Sequence, residues 1–405
     1  MHRVAFIVGC ALFGVAFAGA FGAACLSSDD NTPSPTQDGS APAGDGAVLP
    51  NGDASGSVDV DATTDSASAN GDSGEGVNDG GAIVDSAPPV DATPMEIASN
   101  LGASLYSLTA SNGNLFWISQ GDKTIARCSA AACAATVTTM FTDSFSLQAI
   151  AVDSTNLYFT EQGGGNGGAL YSIPIDADGG VAQTHLLSGL SAPLGIAVDA
   201  TGLYFTQSTN PLTVNDGIVS MCDPAACAST LVAISGQPFA DSVALSATTV
   251  YWTGQGSPST KGFVRAVPKG FAAGNVVTLG YPESSAALLA IDSTNVYFVA
   301  YQGAVDTAYV WFCPLGGCDA DAGAAMLSTT ATALSNFGPR VASDGVHVYF
   351  LGGNGNAVNE CPVTGCNGAA ASHGTFASAV VPSSIALGAD AIYVAASGSI
   401  YQIAK

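Results

Sequence analysis

Basic residues are scarce in this sequence. Lys and Arg together number 8 among 405 residues, against 32 Asp and Glu, so the formal net charge is −24. Binding of nucleic acid depends on Lys and Arg side chains that neutralise phosphates, and the chain contains no basic stripe. We therefore expect no nucleic-acid partner.

Histidine is also rare, with four residues at positions 2, 185, 347 and 373. We interpret them as lying in different repeats at unrelated positions, which predicts neither a histidine metal centre nor a His-dependent lyase. The chain also lacks a Gly-x-Ser-x-Gly nucleophile elbow between a strand and a helix. These absences favour a protein that is not an enzyme.

One phrase recurs seven times along the chain. It is best preserved in residues 149–160, AIAVDSTNLYFT, and residues 195–206, GIAVDATGLYFT. Equivalent aromatic residues follow one another at intervals of 42 to 52 residues: Phe116, Tyr158, Tyr204, Tyr251, Tyr297, Tyr349 and Tyr393. This spacing is typical of the blades of a β-propeller.

Each copy of the phrase predicts two strands joined by a tight turn. The apolar run Ile-Ala-Val suits a strand that is buried on both faces. Asp153 or Asp199 then supplies a carboxylate that accepts hydrogen bonds from the turn, and Leu-Tyr-Phe-Thr favours a second strand. Two further strands complete a sheet of four, and such sheets cover their flanks by packing radially against their neighbours.

The chain ends predict how the ring closes. The last repeat stops one strand short after residues 399–404, and an unassigned apolar stretch, Met95–Ala98, precedes the first repeat. Pairing these two segments would complete the last sheet and remove an exposed edge. We predict an all-β, seven-bladed propeller closed by an N-terminal strand. Six blades is the alternative, if the degenerate first copy at residues 107–119 forms no blade.

Residues 1–24 are typical of a secretory signal, with a short basic start, an apolar run and small residues at its end. Ala23-Ala24-Cys25 resembles the lipobox of bacterial lipoproteins, although Gly22 replaces the usual Leu. The resemblance implies that Cys25 carries a lipid anchor. Leu26, a residue other than Asp after the Cys, implies the outer membrane of a bacterial cell envelope.

Residues 25–93 are predicted to be a disordered tether, and residues 94–405 the propeller domain. The segment is rich in Asp, Ser, Gly, Ala, Thr and Pro, with 13 Asp and Glu and no Lys or Arg between Leu26 and Thr93. It would bury too little apolar surface to offset the entropy lost on ordering. Membrane contact is expected through the lipid anchor alone.

Eight cysteines form four pairs with four residues between the members: Cys128 and Cys133, Cys222 and Cys227, Cys313 and Cys318, and Cys361 and Cys366. Each pair occupies the place where a third strand turns into a fourth. An exported protein can keep such pairs oxidised, and we predict four hairpin disulfides. Zinc is the alternative, but pairs on separate blades cannot converge four thiolates on one ion.

The Ile-Ala-Val-Asp and Leu-Tyr-Phe-Thr phrases resemble those of NHL-type and related propeller repeats. They are similar in particular to repeat arrays of bacterial exported lipoproteins with Cys-pair hairpins. The resemblance covers about 310 of the 405 residues. It implies the fold but no catalytic residues, because propellers include binders, scaffolds and enzymes.

A glutamine leaves the second strand in five repeats: Gln120, Gln162, Gln207, Gln255 and Gln302. We predict that all five fall in loops between second and third strands, which share one face of a propeller. Amides at such a rim hydrogen-bond sugar hydroxyls or peptide backbones without requiring charge. The five residues are therefore a candidate ligand face.

These observations favour a surface-tethered, monomeric, non-enzymatic propeller that binds a protein or glycan at the cell surface through one loop face. No cofactor is expected under this hypothesis. The alternative is a calcium-dependent, lactonase-like propeller enzyme with Glu161, Asn210 or Asp241 near the channel mouth as ligands. A second alternative is a purely structural envelope protein.

Overall fold

The described residues form seven four-stranded antiparallel sheets, as the repeats predict. The computed structural model describes residues 92–163, 167–208, 217–255, 262–271, 273–280, 286–301, 307–318, 323–332, 340–352 and 356–405. Cys25, the predicted signal and nearly all of the predicted tether lie outside these ranges. Within them, no helix has the length and apolar character needed to cross a membrane.

The strands are numbered in chain order, and each blade after β1 contains four consecutive strands in sequence. The opening strand is β1 (Met95–Ala98). Blade 1 contains β2 (Leu105–Ser111), β3 (Asn114–Ser119), β4 (Thr124–Ser129) and β5 (Thr138–Thr142). Blade 2 contains β6 (Ser146–Val152), β7 (Asn156–Gln162), β8 (Gly168–Pro174) and β9 (Thr184–Leu190). Blade 3 contains β10 (Pro193–Asp199), β11 (Gly202–Ser208), β12 (Gly217–Cys222) and β13 (Val232–Ser235).

The second half of the ring follows the same pattern. Blade 4 contains β14 (Ala240–Leu245), β15 (Thr249–Gly254), β16 (Phe263–Pro268) and β17 (Val277–Gly280). Blade 5 contains β18 (Ala286–Ile291), β19 (Asn295–Tyr301), β20 (Ala308–Pro314) and β21 (Ala325–Met326). Blade 6 contains β22 (Val341–Ser343), β23 (His347–Leu351), β24 (Ala357–Pro362) and β25 (Ala371–Thr375). Blade 7 contains β26 (Pro382–Leu387), β27 (Ala391–Ala396) and β28 (Ser399–Ala404).

The predicted ring closure is confirmed. β1 pairs antiparallel with β28, with Met95 opposite Gln402 and Ala98 opposite Ile400, so it becomes the outer strand of blade 7. The degenerate first copy forms a complete sheet, β2 to β5. The ring therefore has seven blades, and the six-bladed alternative is wrong.

The hydrophobic core lies between adjacent blades rather than within one. Phe116 of blade 1 packs with Phe159 of blade 2, and Trp117 of blade 1 packs with Tyr393 of blade 7. Phe116, Trp117 and Phe159 are fully buried. Burying one such aromatic side chain stabilises the fold by about 2–3 kcal/mol, which explains why the aromatic residues define the repeat.

The repeated Asp residues cap the turn between first and second strands. Asp153 Oδ1 accepts hydrogen bonds from the backbone N–H groups of Thr155 and Asn156, both at 2.7 Å, and Tyr158 Oη donates to Oδ2 at 2.9 Å. Burial alone would raise the pKa of Asp153, but these hydrogen bonds outweigh it and lower that pKa. Asp292 makes the same contacts in blade 5.

The four cysteine pairs are joined as disulfides at the turns between third and fourth strands. Their Cα–Cα distances lie between 4.8 and 5.1 Å, in the normal range for such bonds. In blades 1 and 3 the second cysteine begins a single helical turn, α1 (Cys133–Thr136) or α2 (Cys227–Thr230). Two short 3₁₀ turns, Ala130–Ala132 and Ala273–Asn275, complete the helical structure of the described residues.

Candidate functional site

The first strand of every blade faces the axis of the ring. Each first strand is an edge of its sheet and contacts the first strand of the neighbouring blade, from β2 through β26 and back to β2. We call the end of the ring where first strands begin and second strands end the upper face. The candidate site lies on the axis near this face.

The first strands carry a bulge at the same level. In six of the seven blades, the described pairing between the first and second strands shifts in register. The shift falls between Leu147 and Ile150 in β6, for example, and between Ala240 and Val243 in β14. A bulge leaves backbone N–H and C=O groups without partners in the ladder. These groups therefore point to other partners close to the axis.

Hydroxyl groups satisfy the bulges and link one blade to the next. Thr160 Oγ1 accepts from Ala149 N in its own blade, at 3.1 Å, and donates to Leu194 O of blade 3, at 2.9 Å. Thr206 repeats the arrangement between Gly195 N and Asp241 O. The Thr that ends the Tyr-Phe-Thr phrase thus fixes the spacing of the inner strands, and Gly195 has no room for a Cβ because Asp241 O would lie 2.5 Å from it.

A cavity of 230 Å³ lies among these bulges. Five consecutive first strands, β2, β6, β10, β14 and β18, contribute to its wall. Its polar lining comes from Ser107, Thr109, Gln148, Asp241 and Ser242, and its apolar lining includes Leu194 and Leu288. Small-molecule sites combine an apolar wall with a few convergent polar groups in this way.

Asp241 is the one acidic side chain that lines the cavity within the described part of the chain. Its Oδ2 accepts a hydrogen bond of 3.3 Å from Gln255 Nε2. Burial raises the pKa of Asp241 to about 6, and the hydrogen bond from Gln255 opposes this rise. The carboxylate therefore destabilises the fold when it is ionised, which is typical of a group retained for function.

Three further side chains leave hydrogen-bonding capacity at the cavity. Ser107 Oγ accepts from Ile150 N and Ser242 Oγ accepts from Leu289 N, and neither hydroxyl proton is donated to another described residue. Gln148 Nε2 donates to Ser146 Oγ at 2.8 Å, and Gln148 Oε1 takes no donor from the described residues. The wall thus offers two donors and one amide acceptor beside Asp241.

Backbone strain is concentrated at the same level. Ser107 has φ 52° and Leu288 has φ 50°, which are left-handed conformations that non-glycine residues seldom adopt. Both residues line the cavity and both occupy bulges. Strain of this kind persists where the surrounding structure holds it and is frequent at ligand sites.

The predicted glutamine face is only partly as expected. Gln162 and Gln207 lie inside β7 and β11, not in loops, whereas Gln120 and Gln255 directly follow β3 and β15. Gln302 lies outside the described residues. The second strands are longer than the sequence suggested, because the cross-strand ladder continues to Gln162 and Gln207.

Two of these glutamines bind within the protein. Gln207 is buried, and its side chain accepts from Ser191 N at 3.2 Å and donates to Ser220 Oγ at 3.4 Å. Gln255 reaches the cavity indirectly, through its hydrogen bond to Asp241. Of the four described glutamines, the half-buried Gln120 and Gln162 remain as candidates for the upper face.

Glu161 does not join Asp241. It is 5% exposed, and its hydrogen-bonding partner is the carboxylate of Asp143, on the loop between β5 and β6 that leads into the same blade. Burial, the hydrogen bond to Asp143 and the negative charge of Asp143 together raise the pKa of Glu161 to about 7. Glu161 therefore keeps its proton up to nearly neutral pH and can donate it to Asp143. Asn210, the other predicted ligand, lies outside the described residues.

This pair predicts a pH-dependent stability. The folded-state pKa of Glu161 lies above its unfolded value, so the folded protein holds an extra proton between about pH 4.5 and 7 and loses stability as pH rises through this window. Glu161→Gln should leave stability unchanged near pH 4.5 and raise the free energy of unfolding by about 1–2 kcal/mol at pH 8. Urea denaturation from pH 5 to 8 measures the difference.

The exposed Asp390 provides a matched control for this experiment. Asp390→Asn removes one carboxylate of the same charge at the surface and should show no such pH dependence. A constant difference between wild type and Glu161→Gln across the pH range would contradict the raised pKa of Glu161.

The expectation for histidine is wrong for two of the four residues. His347 and His373 lie in the same blade, on β23 and β25, and flank Glu360 of β24. His373 Nδ1 lies 2.5 Å from Glu360 Oε2, and His347 Nε2 lies 3.4 Å from Glu360 Oε1. Strands β23 to β25 are neighbours in one sheet, so residues far apart in sequence become adjacent.

The His373 side chain also contacts the neighbouring blade. Its Nε2 lies 2.7 Å from Ala404 O of β28, and its backbone O accepts from Ala92 N just before β1. The ring of His373 thus bridges Glu360 of blade 6 and Ala404 of blade 7. His373 therefore joins blade 6 to both ends of the propeller chain. Among the described residues, no three or more His, Cys, Asp or Glu side chains are arranged so that they could hold a metal ion.

A second cavity, of 470 Å³, lies at the opposite end of the ring between blades 1 and 7. Its lining includes Asn112, Asn114, Asp390 and Gln402. Asp390 and Gln402 offer the same functional groups as Asp241 and Gln148 at a distant place. They provide matched controls for substitutions in the central cavity.

Comparison with known proteins identifies the fold. No protein family model and no curated protein matches the chain. Among solved structures, a streptogramin B lyase matches with a TM-score of 0.56 at 11% identity, covering 76% of this chain and 96% of the lyase. Virginiamycin B lyase from Staphylococcus aureus matches with a TM-score of 0.55 at 12% identity, covering 77% and 97%.

A third solved structure is the β-propeller domain of the Trilobed protease from Pyrococcus furiosus. It matches with a TM-score of 0.50 at 7% identity, covering 73% of this chain and 92% of that domain. These neighbours belong to enzymes of different kinds. At such identities the likeness establishes a β-propeller and leaves function to the residues of the site.

Proposed function

We propose that this protein is a surface-tethered binding propeller that recognises a glycan or a protein through its upper face. The observation that carries the proposal is the cavity of 230 Å³, where bulged strands from five blades bring unsatisfied hydrogen-bonding groups together. Polar groups with spare capacity in a concave wall favour a bound ligand over a purely structural role. The second alternative, a structural envelope protein, leaves these groups unexplained.

The cell-surface location is part of this proposal. The sequence supports it through the signal at residues 1–24, the lipobox-like Cys25 and the acidic tether. Four disulfides are compatible with an oxidising compartment outside the cytoplasm. A tether of this composition would hold the propeller away from the membrane surface.

The calcium-dependent, lactonase-like alternative is less well supported. It places Glu161, Asn210 or Asp241 on one ion, yet Glu161 pairs with Asp143 and only Asp241 lines the cavity within the described residues. Calcium is normally held by six to eight oxygen ligands that include several carboxylates. The solved neighbours that are enzymes share the fold at 11–12% identity, a likeness that extends to the fold alone.

Binding to an array of immobilised oligosaccharides and peptides tests the proposal. The full-length protein should bind at least one ligand on the array. Gln148→Ala should weaken that binding at least tenfold, because this amide lines the cavity. Gln162→Ala and Gln255→Ala at the upper face should weaken binding of the same ligand. Gln402→Ala in the opposite cavity is the matched control and should bind normally. Binding that is unchanged in Gln148→Ala, Gln162→Ala and Gln255→Ala would contradict the proposal.

A further inference from the structure

We propose that the central cavity selects a small ligand that carries a protonated primary amine, with Asp241 as the group that recognises the charge. This inference rests on the proposed function, because it assumes that the cavity is the binding site. It adds the chemical class of the ligand. Three features of the structure support it: an Asp241 oxygen that no described residue donates to, the placement of the basic residues and the neutral groups around the carboxylate.

The Asp241 carboxylate is incompletely satisfied. Oδ2 accepts from the neutral amide of Gln255, at 3.3 Å, and no described residue donates to Oδ1. A carboxylate in a protein wall normally accepts several hydrogen bonds or pairs with a cation, because its desolvation is costly. A ligand ammonium group would supply both the charge and the missing donor.

No basic residue of the described chain neutralises Asp241. Each described Lys or Arg side chain is held elsewhere: Lys123 by Ser144 O, Arg127 by Asp176 O, Arg265 by Gln237, Lys269 by Asp199, Arg340 by Pro382 O and Lys405 by Asp344. None of them lines the cavity. The counter-ion of Asp241 is therefore expected to come from outside the described chain.

The charge of the whole domain favours the same ligand class. Residues 94–405 contain 19 Asp and Glu against 7 Lys and Arg, a net charge of −12. A field of this sign attracts cationic ligands and repels carboxylates and phosphates. A cavity whose single charged group is an acid amplifies this preference, because charges interact more strongly away from bulk water.

The neutral groups of the wall limit the ligand further. Ser107 and Ser242 can each donate a hydroxyl proton, and Gln148 Oε1 can accept one. Leu194 and Leu288 provide an apolar surface beside them. An amino sugar presents this combination, with an ammonium group, hydroxyls and an apolar C–H face. The free amine of an amino acid amide presents the same charge with a carbonyl acceptor.

Matched pairs of small molecules test the charge requirement directly by isothermal titration calorimetry of the full-length protein. Glucosamine is compared with glucose and with N-acetylglucosamine, which keep the ring but lack the positive charge. Glycinamide is compared with N-acetylglycinamide. We expect one of the two amines to bind at least tenfold more tightly than its uncharged counterparts, which is about 1.4 kcal/mol. The pair that responds identifies the source of the amine.

Asp241→Asn is the decisive variant, because it keeps the shape of the side chain and removes its charge. It should abolish the preference for the amine, whereas Asp390→Asn in the opposite cavity should preserve it. Thermal unfolding checks that Asp241→Asn is folded. We expect it to be at least as stable as wild type at pH 8, since the buried carboxylate costs stability when ionised.

The outcomes separate this inference from the proposed function. Equal binding of glucose and glucosamine, or an amine preference that persists in Asp241→Asn, would overturn the role of Asp241. If Gln148→Ala still abolished that binding, the cavity would remain the site and only the ligand class would be wrong. Absence of binding by both amines would overturn the inference as well. In that case the array and Gln148→Ala decide the proposed function.

Discussion

Deletion of Met95–Ala98 from the full-length chain is expected to lower the free energy of unfolding by about 4–5 kcal/mol. The strand contributes antiparallel hydrogen bonds to β28 and buries Ala98 against blade 1. Each lost hydrogen bond costs about 1 kcal/mol, and the lost apolar burial costs about 1 kcal/mol more. Proteins of this kind are stable by about 5–15 kcal/mol in total, so the loss is a large share.

The deletion also exposes the edge of β28, which can pair with another chain. Urea denaturation measures the loss of stability, and size-exclusion chromatography should reveal oligomers that wild type does not form. Deletion of residues 68–71, four residues of the predicted tether, is the control and should change neither property. A variant without Met95–Ala98 that unfolds at the wild-type urea concentration would show that the ring does not depend on this closure.

His373→Ala is expected to cost about 3 kcal/mol of stability. The side chain is 6% exposed and is held between Glu360 and Ala404 O. Its removal leaves a largely buried carboxylate without its nearest partner, and breaking a buried pair from one side costs about 3–5 kcal/mol. His347→Ala is the matched control. The side chain of His347 is 40% exposed and lies 3.4 Å from the same carboxylate, so its loss should cost less than about 1 kcal/mol.

A conservative variant separates hydrogen bonding from packing at the same position. His373→Gln keeps one donor for Glu360 or for Ala404 O and should recover part of the lost stability. Chemical denaturation of the three variants at one pH gives the comparison. Equal losses for His373→Ala and His347→Ala would contradict the role of His373 as the link between blade 6 and the chain ends.

The fold was predictable because its determinants are local and repeated. The apolar run before each turn, the Asp that caps four of the seven turns and the aromatic pair after the turn specify two strands and their connection within about twelve residues. Closure was predictable because two segments, Met95–Ala98 and Ser399–Ala404, each lacked a partner. The cysteine pairs added independent evidence, since they recur at one position of the repeat.

The site was less predictable because it depends on contacts between blades. Asp241 was placed near the channel mouth, and it does line the cavity. Glu161 was grouped with it wrongly, because the partner of Glu161 is Asp143, on the loop that leads into the same blade from its neighbour. The bulges that create the cavity carry no distinctive residue type, since Ser107, Gly195 and Leu288 occupy similar places.

Histidine shows the same limit in a different way. His347 and His373 are 26 residues apart in sequence, and only the pairing of β23, β24 and β25 brings them to Glu360. The repeated phrase indicates the position of a residue within its own repeat and carries no information about contacts across strands. The sequence does contain a signal that both belong to one blade. His347 lies two residues before Tyr349, and His373 lies between Tyr349 and the next repeat aromatic, Tyr393.

The location of a bound amine tests the central claim most directly. Crystals of the protein soaked with whichever amine binds, glucosamine or glycinamide, should show the ligand in the central cavity, with its nitrogen about 3 Å from the Asp241 carboxylate. Gln148 and the hydroxyls of Ser107 and Ser242 should contact its remaining polar groups. Density for the ligand in the opposite cavity beside Asp390, with the central cavity holding water alone, would contradict the account.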